Sequence, residues 1–547
     1  MENMYFCLFL LLLLVSSGVI ARLVKSLSSP LVQISLGAIA GLLVPGFNID
    51  FNPELFLLLF IPPLLFSDSW HFPKREFVAN SRAIIMLAIG LVFFTVIGIG
   101  YLLNWLCPSI PLAACFALAA ALAPTDAVSL KSLTAKSKLP LRLTHILQGE
   151  ALLNDASGLV AFKFSVAALL TGYFSVASAS GSLIIVGLGG VLIGGLLTYL
   201  FVMALGQISR KNAGETTTEN LLLILLPYAA YLTAEYFGCS GIIAAVAAGF
   251  TIERAGFLDK TMVTMRIEGH FVWQMMETIL NGIVFILLGL YLPHFVHLVN
   301  ETGISLWTYF KIVLVITVSL TMLRMVWIYL TLPFEALIAH HKNKKWKIPN
   351  LKIITAIAFG GIRGTIALAA ILSLPAWMPD GSPFLARELL ITLVVGVVLC
   401  SLLLSAILLP LITPYLKNLI VDLPAEEDTA RIAAAQAGIR AIEKKMETLS
   451  STLNEHERLL CTKVGSALTA SLYYFITSSI GEEEEKLTSR QALIFERNLR
   501  LAALDGARQE LRQLIKKGQI NNATMISVMH LLDIRQLSIN EPLSRTT

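Results

Sequence analysis

Long apolar runs, each bounded by proline, glycine or charge, fill most of this chain. They predict thirteen helical spans, at about 4–21, 30–46, 54–70, 83–107, 111–130, 146–170, 182–206, 219–236, 239–252, 270–292, 306–331, 353–374 and 388–416. Composition agrees: of 547 residues 56% are hydrophobic and 14% charged, against about 25% charged in soluble domains. The mean hydropathy is +0.75. The fold class expected is an all-α polytopic membrane protein.

The placement of cationic residues tests that count. If the first span starts outside, the cytoplasmic loops hold Arg22 and Lys25; Lys74, Arg75 and Arg82; Lys131, Lys136, Lys138 and Arg142; Arg210 and Lys211; Arg254, Lys260 and Arg266; and a lysine cluster from Lys342 to Lys352. The opposite loops hold almost only Arg387. This asymmetry predicts an N-terminus outside and a C-terminus in the cytoplasm, in a plasma (inner) membrane. Residues 1–20 have no basic n-region, and Arg22 and Lys25 follow the apolar run, so they read as a retained helix rather than a signal peptide.

At about residue 424 the pattern changes to Ala, Glu, Lys, Arg and Leu at helical spacing. The expected organisation is a membrane domain, 1–423, and a soluble helical cytoplasmic tail, 424–547. The acidic run Glu482 to Glu485 reads as a solvated face.

Two spans carry breaks. The fifth contains ALAPTDAVSL, where Pro124 removes a backbone donor; the twelfth contains AFGGIRGTIALAA, where Gly360, Gly361 and Gly364 weaken the helix around Arg363. Interrupted helices at membrane depth free backbone groups that need a protein-lined or watery cavity. Seven spans apart, the two run in opposite directions, as equivalents in two inverted repeats would, with spans 1–6 matching 8–13.

The sixth span, ILQGEALLNDASGLVAFKFSVAALL, holds Glu150, Asn154, Asp155 and Lys163. A charge at the bilayer centre costs about 2.5–3.5 kcal/mol on insertion scales, so these groups need partners or a function. Asp155 lies about 15 Å along the helix from Ile146, near the middle of a hydrocarbon layer of about 30 Å. Around the axis it stands about 140° from Glu150, so the two acids face different surroundings. Asp155 is the expected ion site. Lys163, about 12 Å further on, is placed to tune the field there or to pair with Glu277 or Asp126.

Other ionisable groups fall inside spans: Asp68, Asp126, Glu235, Glu277, Arg324 and Arg363. Acids outnumber cations, so protons or a transported cation must neutralise some of them. Cys7, Cys107, Cys115, Cys239, Cys400 and Cys461 have no CxxC spacing and read as small hydrophobes. The pairs His294/His297 and His340/His341 lack further metal ligands. No enzyme signature, nucleotide loop or cofactor motif occurs, and the basic residues follow topology rather than forming a nucleic-acid surface.

GEALLNDASG, APTDAVSL, GIIAAVAAGF, NGIVFILLGL and GGIRGTIALA, in this order on these spans, together resemble the monovalent cation/proton antiporter family of the NhaP and NHE type. The resemblance covers essentially the whole membrane part. It implies sodium, lithium or potassium exchanged for protons, no bound cofactor, and a homodimer in membrane lipid. By its motifs Asp155 binds the cation or a proton with Asn154 beside it, Thr125 and Asp126 supply polar contacts at the crossover, and Glu150 pairs with Arg363. The chain departs from the pattern twice. Ala151 stands where many relatives have serine, an ion ligand there, and Ser67 then Asp68 where many have an acid one residue earlier; that shift turns a side chain by about 100°, which leaves Asp68 three readings, a substitute ion ligand, a residue of the inner mouth or a helix cap.

One carboxylate suffices for a mechanism. Hard cations prefer oxygen ligands, and burial disfavours an uncompensated charge, so a proton and a metal cation compete for Asp155. An amide at 154 in place of a second acid makes the simplest cycle one cation for one proton. The alternatives on the same sequence are an ion-coupled symporter of an organic solute, and a channel or a membrane sensor acting through the tail.

Overall fold

The computed structural model describes residues 2–24, 28–43, 53–126, 130, 141–172, 176–211, 216–257, 263–301, 305–341, 351–364, 366–379, 381–412, 424–450, 454–480, 483–517 and scattered positions from 519 to 536. Among these the chain is helical, with one isolated β-bridge, Trp377 to Pro383. Contacts divide it into two units, Met1–Ile420 and Val421–Thr547.

The first unit runs α1 (Glu2–Leu23), α2 (Ser29–Leu43), α3 (Pro53–His71), α4 (Lys74–Leu106), α5 (Leu112–Leu122), α6 (Leu141–Thr171) and α7 (Val176–Lys211). It continues with α8 (Thr216–Tyr236), α9 (Gly241–Ile252), α10 (Val263–Glu301), α11 (Leu306–His341), α12 (Leu351–Phe359), α13 (Ile366–Leu372) and α14 (Arg387–Ile412). Among the described residues seven helices are long and apolar enough to cross a membrane; α2, α5 and α9 are apolar but shorter.

Several helices outrun the apolar stretches that forecast them. α7, α10 and α11 extend by up to about ten residues beyond the expected ends, because a helix continues past the hydrocarbon wherever its own hydrogen bonds can. Proline ends two of the expected spans, before Pro293 and Pro333, yet both lie inside helices, as do Pro62, Pro63, Pro227 and Pro410 within their expected spans. In a bundle, neighbouring helices can satisfy the carbonyl that proline leaves bare.

Two sets of packed helices meet at the centre. On one side α2 packs along α10, with Gly37 facing the backbone of Ile286 and Gly289 facing that of Ile34, a contact that any Cβ would obstruct. α3, α7, α8 and α9 continue this side. On the other, α4, α5 and α6 pack together, with α11 against α4 and α14. α4 contains a π turn, Met86–Leu91. Two of the turn's carbonyls take outside donors: Ser157 Oγ donates to Ala88 O (2.5 Å) and Trp327 Nε1 to Met86 O (3.1 Å).

The second unit holds α15 (Pro424–Ser450), α16 (Glu455–Ile480) and α17 (Glu483–Lys516), packed in sequence. Gly465 admits Met446 between α15 and α16, and Arg508 bonds Asp533 at 2.6 Å. The side chains of the acidic run lie outside the described residues.

Candidate cation site

Both interrupted segments are broken where the sequence breaks them. α5 ends at Leu122, Ala123 bends, and Pro124 to Asp126 are non-helical; α12 ends at Phe359, and 361–364 are non-helical before α13. The two stretches cross in contact. Asp126 N donates to Ile362 O at 2.8 Å, and a Cβ on Gly364 would stand 2.7 Å from that of Asp126, so glycine permits the approach.

Arg363 fills the need for charge at this crossing. Its Nη1 donates to Ala123 O and, at 3.2 Å, to Pro124 O, the carbonyls released at the C-terminal end of α5. A cation there completes hydrogen bonds and opposes the negative end of the helix dipole. Its own amide is held by Ser401 Oγ at 3.3 Å. Arg387 does similar work for α13, donating to Leu372 O (3.1 Å) and Leu374 O (3.0 Å).

Glu150 therefore has a different partner from the one the motifs imply. Arg324 of α11 meets it in a bidentate pair, Nη1 to Oε1 and Nη2 to Oε2, both 2.5 Å, with both side chains 1% exposed. Arg324 Nε donates to Ile357 O at 2.9 Å. The planar fork of Arg324 satisfies both carboxylate oxygens, while Arg363 is occupied by main-chain carbonyls. Gly361 makes room: a Cβ there would lie 2.9–3.0 Å from the Arg324 guanidinium.

Five residues along α6, Asp155 faces a cavity of about 60 Å³. A single water occupies about 10–15 Å³ on this measure, so several waters or a partly hydrated ion fit. Its polar lining is Asp155, Asp126, Thr125, Asp68 and Asn281; Pro124, Ala151, Val284, Phe285 and Gly364 supply part of the apolar remainder. Asp155 and Thr125 are buried, each 5% exposed, whereas Asp126, Asp68 and Asn281 are half-buried.

The residues expected from sequence are thus gathered with two adjustments. Asp68 lines the cavity despite its one-residue displacement, while Ser67 turns to its own helix near His71. Asn154, 0% exposed, is not in the lining; its Nδ2 donates to Thr125 Oγ1 at 2.7 Å and so fixes a lining residue. Lys163 lies within 3.8 Å of Glu235, not of Glu277 or Asp126; both are exposed.

Two further residues matter that the sequence motifs do not single out. Arg324 is one cation among several inside spans, and its place midway along α11 is the signal of its depth. Asn281 belongs to a motif, and it is a polar residue in the apolar middle of α10.

Comparison with known proteins follows this geometry. The family described as sodium/hydrogen exchanger, transmembrane, matches residues 9–413. The chain is 38% identical to YjcE of Escherichia coli K12, described as an uncharacterized Na+/H+ exchanger, over 98% of this chain and 99% of that one. It is 37% identical to the sodium, potassium, lithium and rubidium/H+ antiporter of Bacillus pumilus SAFR-032, over 95% of this chain and 76% of that one. The sodium proton antiporter MjNhaP1 of Methanocaldococcus jannaschii at pH 8 shares the fold, with a TM-score of 0.56 at 17% identity over 76% of this chain and 99% of the other. From the crossed, interrupted segments to the full-length likeness in sequence, these findings establish that the chain belongs to the sodium/hydrogen exchanger family.

Proposed function

We propose that this exchanger carries one monovalent cation against one proton, with Asp155 binding each in turn. The observation that carries this reading is the cavity at the crossing of the two interrupted segments, where Asp155 is buried beside Asp126, Thr125 and Asp68. Asn154 serves by holding Thr125 in place, and Glu150, Arg324 and Arg363 fix the scaffold around it. An empty, charged Asp155 is expensive to move through a closed core, whereas either occupied form is neutral; obligatory exchange follows. A cavity of about 60 Å³ suits an alkali ion and leaves no space for a carbon skeleton, which disfavours an organic-solute symporter. The activity is transport rather than enzymatic chemistry.

The membrane topology belongs to the same proposal: thirteen crossings in two inverted repeats, with α12 and α13 forming one interrupted crossing as α5 and the residues after it form another. The N-terminus lies outside, and residues 424–547 form a cytoplasmic helical tail. The protein works as a homodimer in the plasma membrane. By likeness to the Bacillus antiporter, whose name includes sodium, potassium, lithium and rubidium, the accepted ions extend beyond sodium.

The test is a cation-by-pH dequenching assay in everted vesicles with Asp155→Asn as control. Alkali cations should collapse the proton gradient for the native chain and not for the variant; exchange surviving in Asp155→Asn would remove the proposal. With one cation against one proton, turnover should not respond to an imposed membrane potential.

A further inference from the structure

We propose that Asn281 is a cation ligand that determines which alkali ions the exchanger accepts, supplying from α10 the neutral oxygen that Ala151 does not supply from α6. The inference rests on the exchange reading above and deepens it.

Ala151 and Asp155 are four residues apart on α6, about 40° around its axis, and both line the cavity. The wall beside Asp155 is therefore a methyl group, with no hydroxyl one turn away. Asn281 enters the same cavity from α10, next to Val284 and Phe285, and is the polar side chain which that helix contributes to the lining. An amide oxygen is a neutral hard donor. It completes a cation's shell without adding a fourth carboxyl to a cavity that already contains Asp68, Asp126 and Asp155.

The consequence concerns selectivity. α6 and α10 belong to the two helix sets that meet at the cavity, so Asp155 and Asn281 bring oxygens to its lining from different helices. A hydroxyl at 151 would place an oxygen one turn from Asp155 and narrow the site around a small ion. Its absence, with the amide on α10 as the neutral donor instead, leaves room beside Asp155 for potassium as well as sodium.

The experiment uses the full-length protein in proteoliposomes containing a pH dye, titrated separately with sodium and potassium. Asn281→Ala should raise the half-saturating concentration of both ions about tenfold, the range of one lost contact to a charged group, with the maximal rate retained. Ala151→Ser should favour sodium over potassium. The double variant should regain sodium affinity relative to Asn281→Ala while potassium stays weak. Unchanged half-saturation in Asn281→Ala, or no sodium recovery in the double variant, would overturn the assignment. If size exclusion shows that Asn281→Ala does not fold, Asn281→Ser is read by its sodium-to-potassium ratio; a shifted ratio supports the assignment and an unchanged one overturns it. A native protein without cation-driven proton movement would remove the exchange reading and this inference together, a result distinct from all the others.

Discussion

Glu150 and Asp155 are two buried acids five residues apart on one helix, and they live in opposite conditions. Glu150 is sealed, both oxygens held by the fork of Arg324 at 2.5 Å. Asp155 is equally buried from bulk solvent but opens onto a cavity shared with two other carboxyls. About 140° of helical rotation separates the two environments. On the proposed exchange cycle, burial alone does not distinguish a structural acid from a transporting one. What distinguishes them is whether a permanent cation or an exchangeable space lies opposite.

The contrast can be broken at several places. The largest effect should come from Asp155→Asn: exchange falls to background while abundance and thermal stability stay near native, measured by dequenching and by fluorescence-detected size exclusion. Glu150→Ala should instead lose folded protein, because stranding Arg324 costs about 3–5 kcal/mol, and Glu150→Leu with Arg324→Met should recover much of the abundance. Normal abundance in Glu150→Ala would erase the distinction between the two acids.

Smaller effects sharpen it. Gly364→Ala brings a methyl within 2.7 Å of the Asp126 Cβ and should cost about 1–3 kcal/mol in stability, with cation affinity reduced because the crossing must shift. Ser157→Ala removes a donor to the π turn at Ala88 and should cost only about 0.5–1.5 kcal/mol, seen as a modest fall in melting temperature with half-saturation unchanged.

Local features of this architecture were legible in the sequence. Apolar runs announced the helices, Pro124 and the glycines around Arg363 announced the two breaks, and the acid at 155, set inside an apolar run, is buried and lines the cavity. The pairing of side chains was not legible. Glu150 and Arg324 are 174 residues apart, and no spacing rule connects α6 to α11. Arg363 was the plausible partner by motif, yet the carbonyls freed at Pro124 compete for the same guanidinium and hold it. Similarly Lys163 found Glu235 on α8. Asp68 reached the cavity because residue spacing fixes relative angles around α3 but not how that helix is turned toward its neighbours.

Competition at a single carboxyl is the centre of this account, and the direct measurement is the half-saturating sodium concentration of the reconstituted protein as a function of pH. If proton and cation exclude one another at Asp155, that concentration rises by about tenfold for each unit of falling pH across the range where the proton holds the site, while the rate at saturating sodium changes little. A half-saturating concentration that stays flat with pH, with only the maximal rate responding, would contradict it.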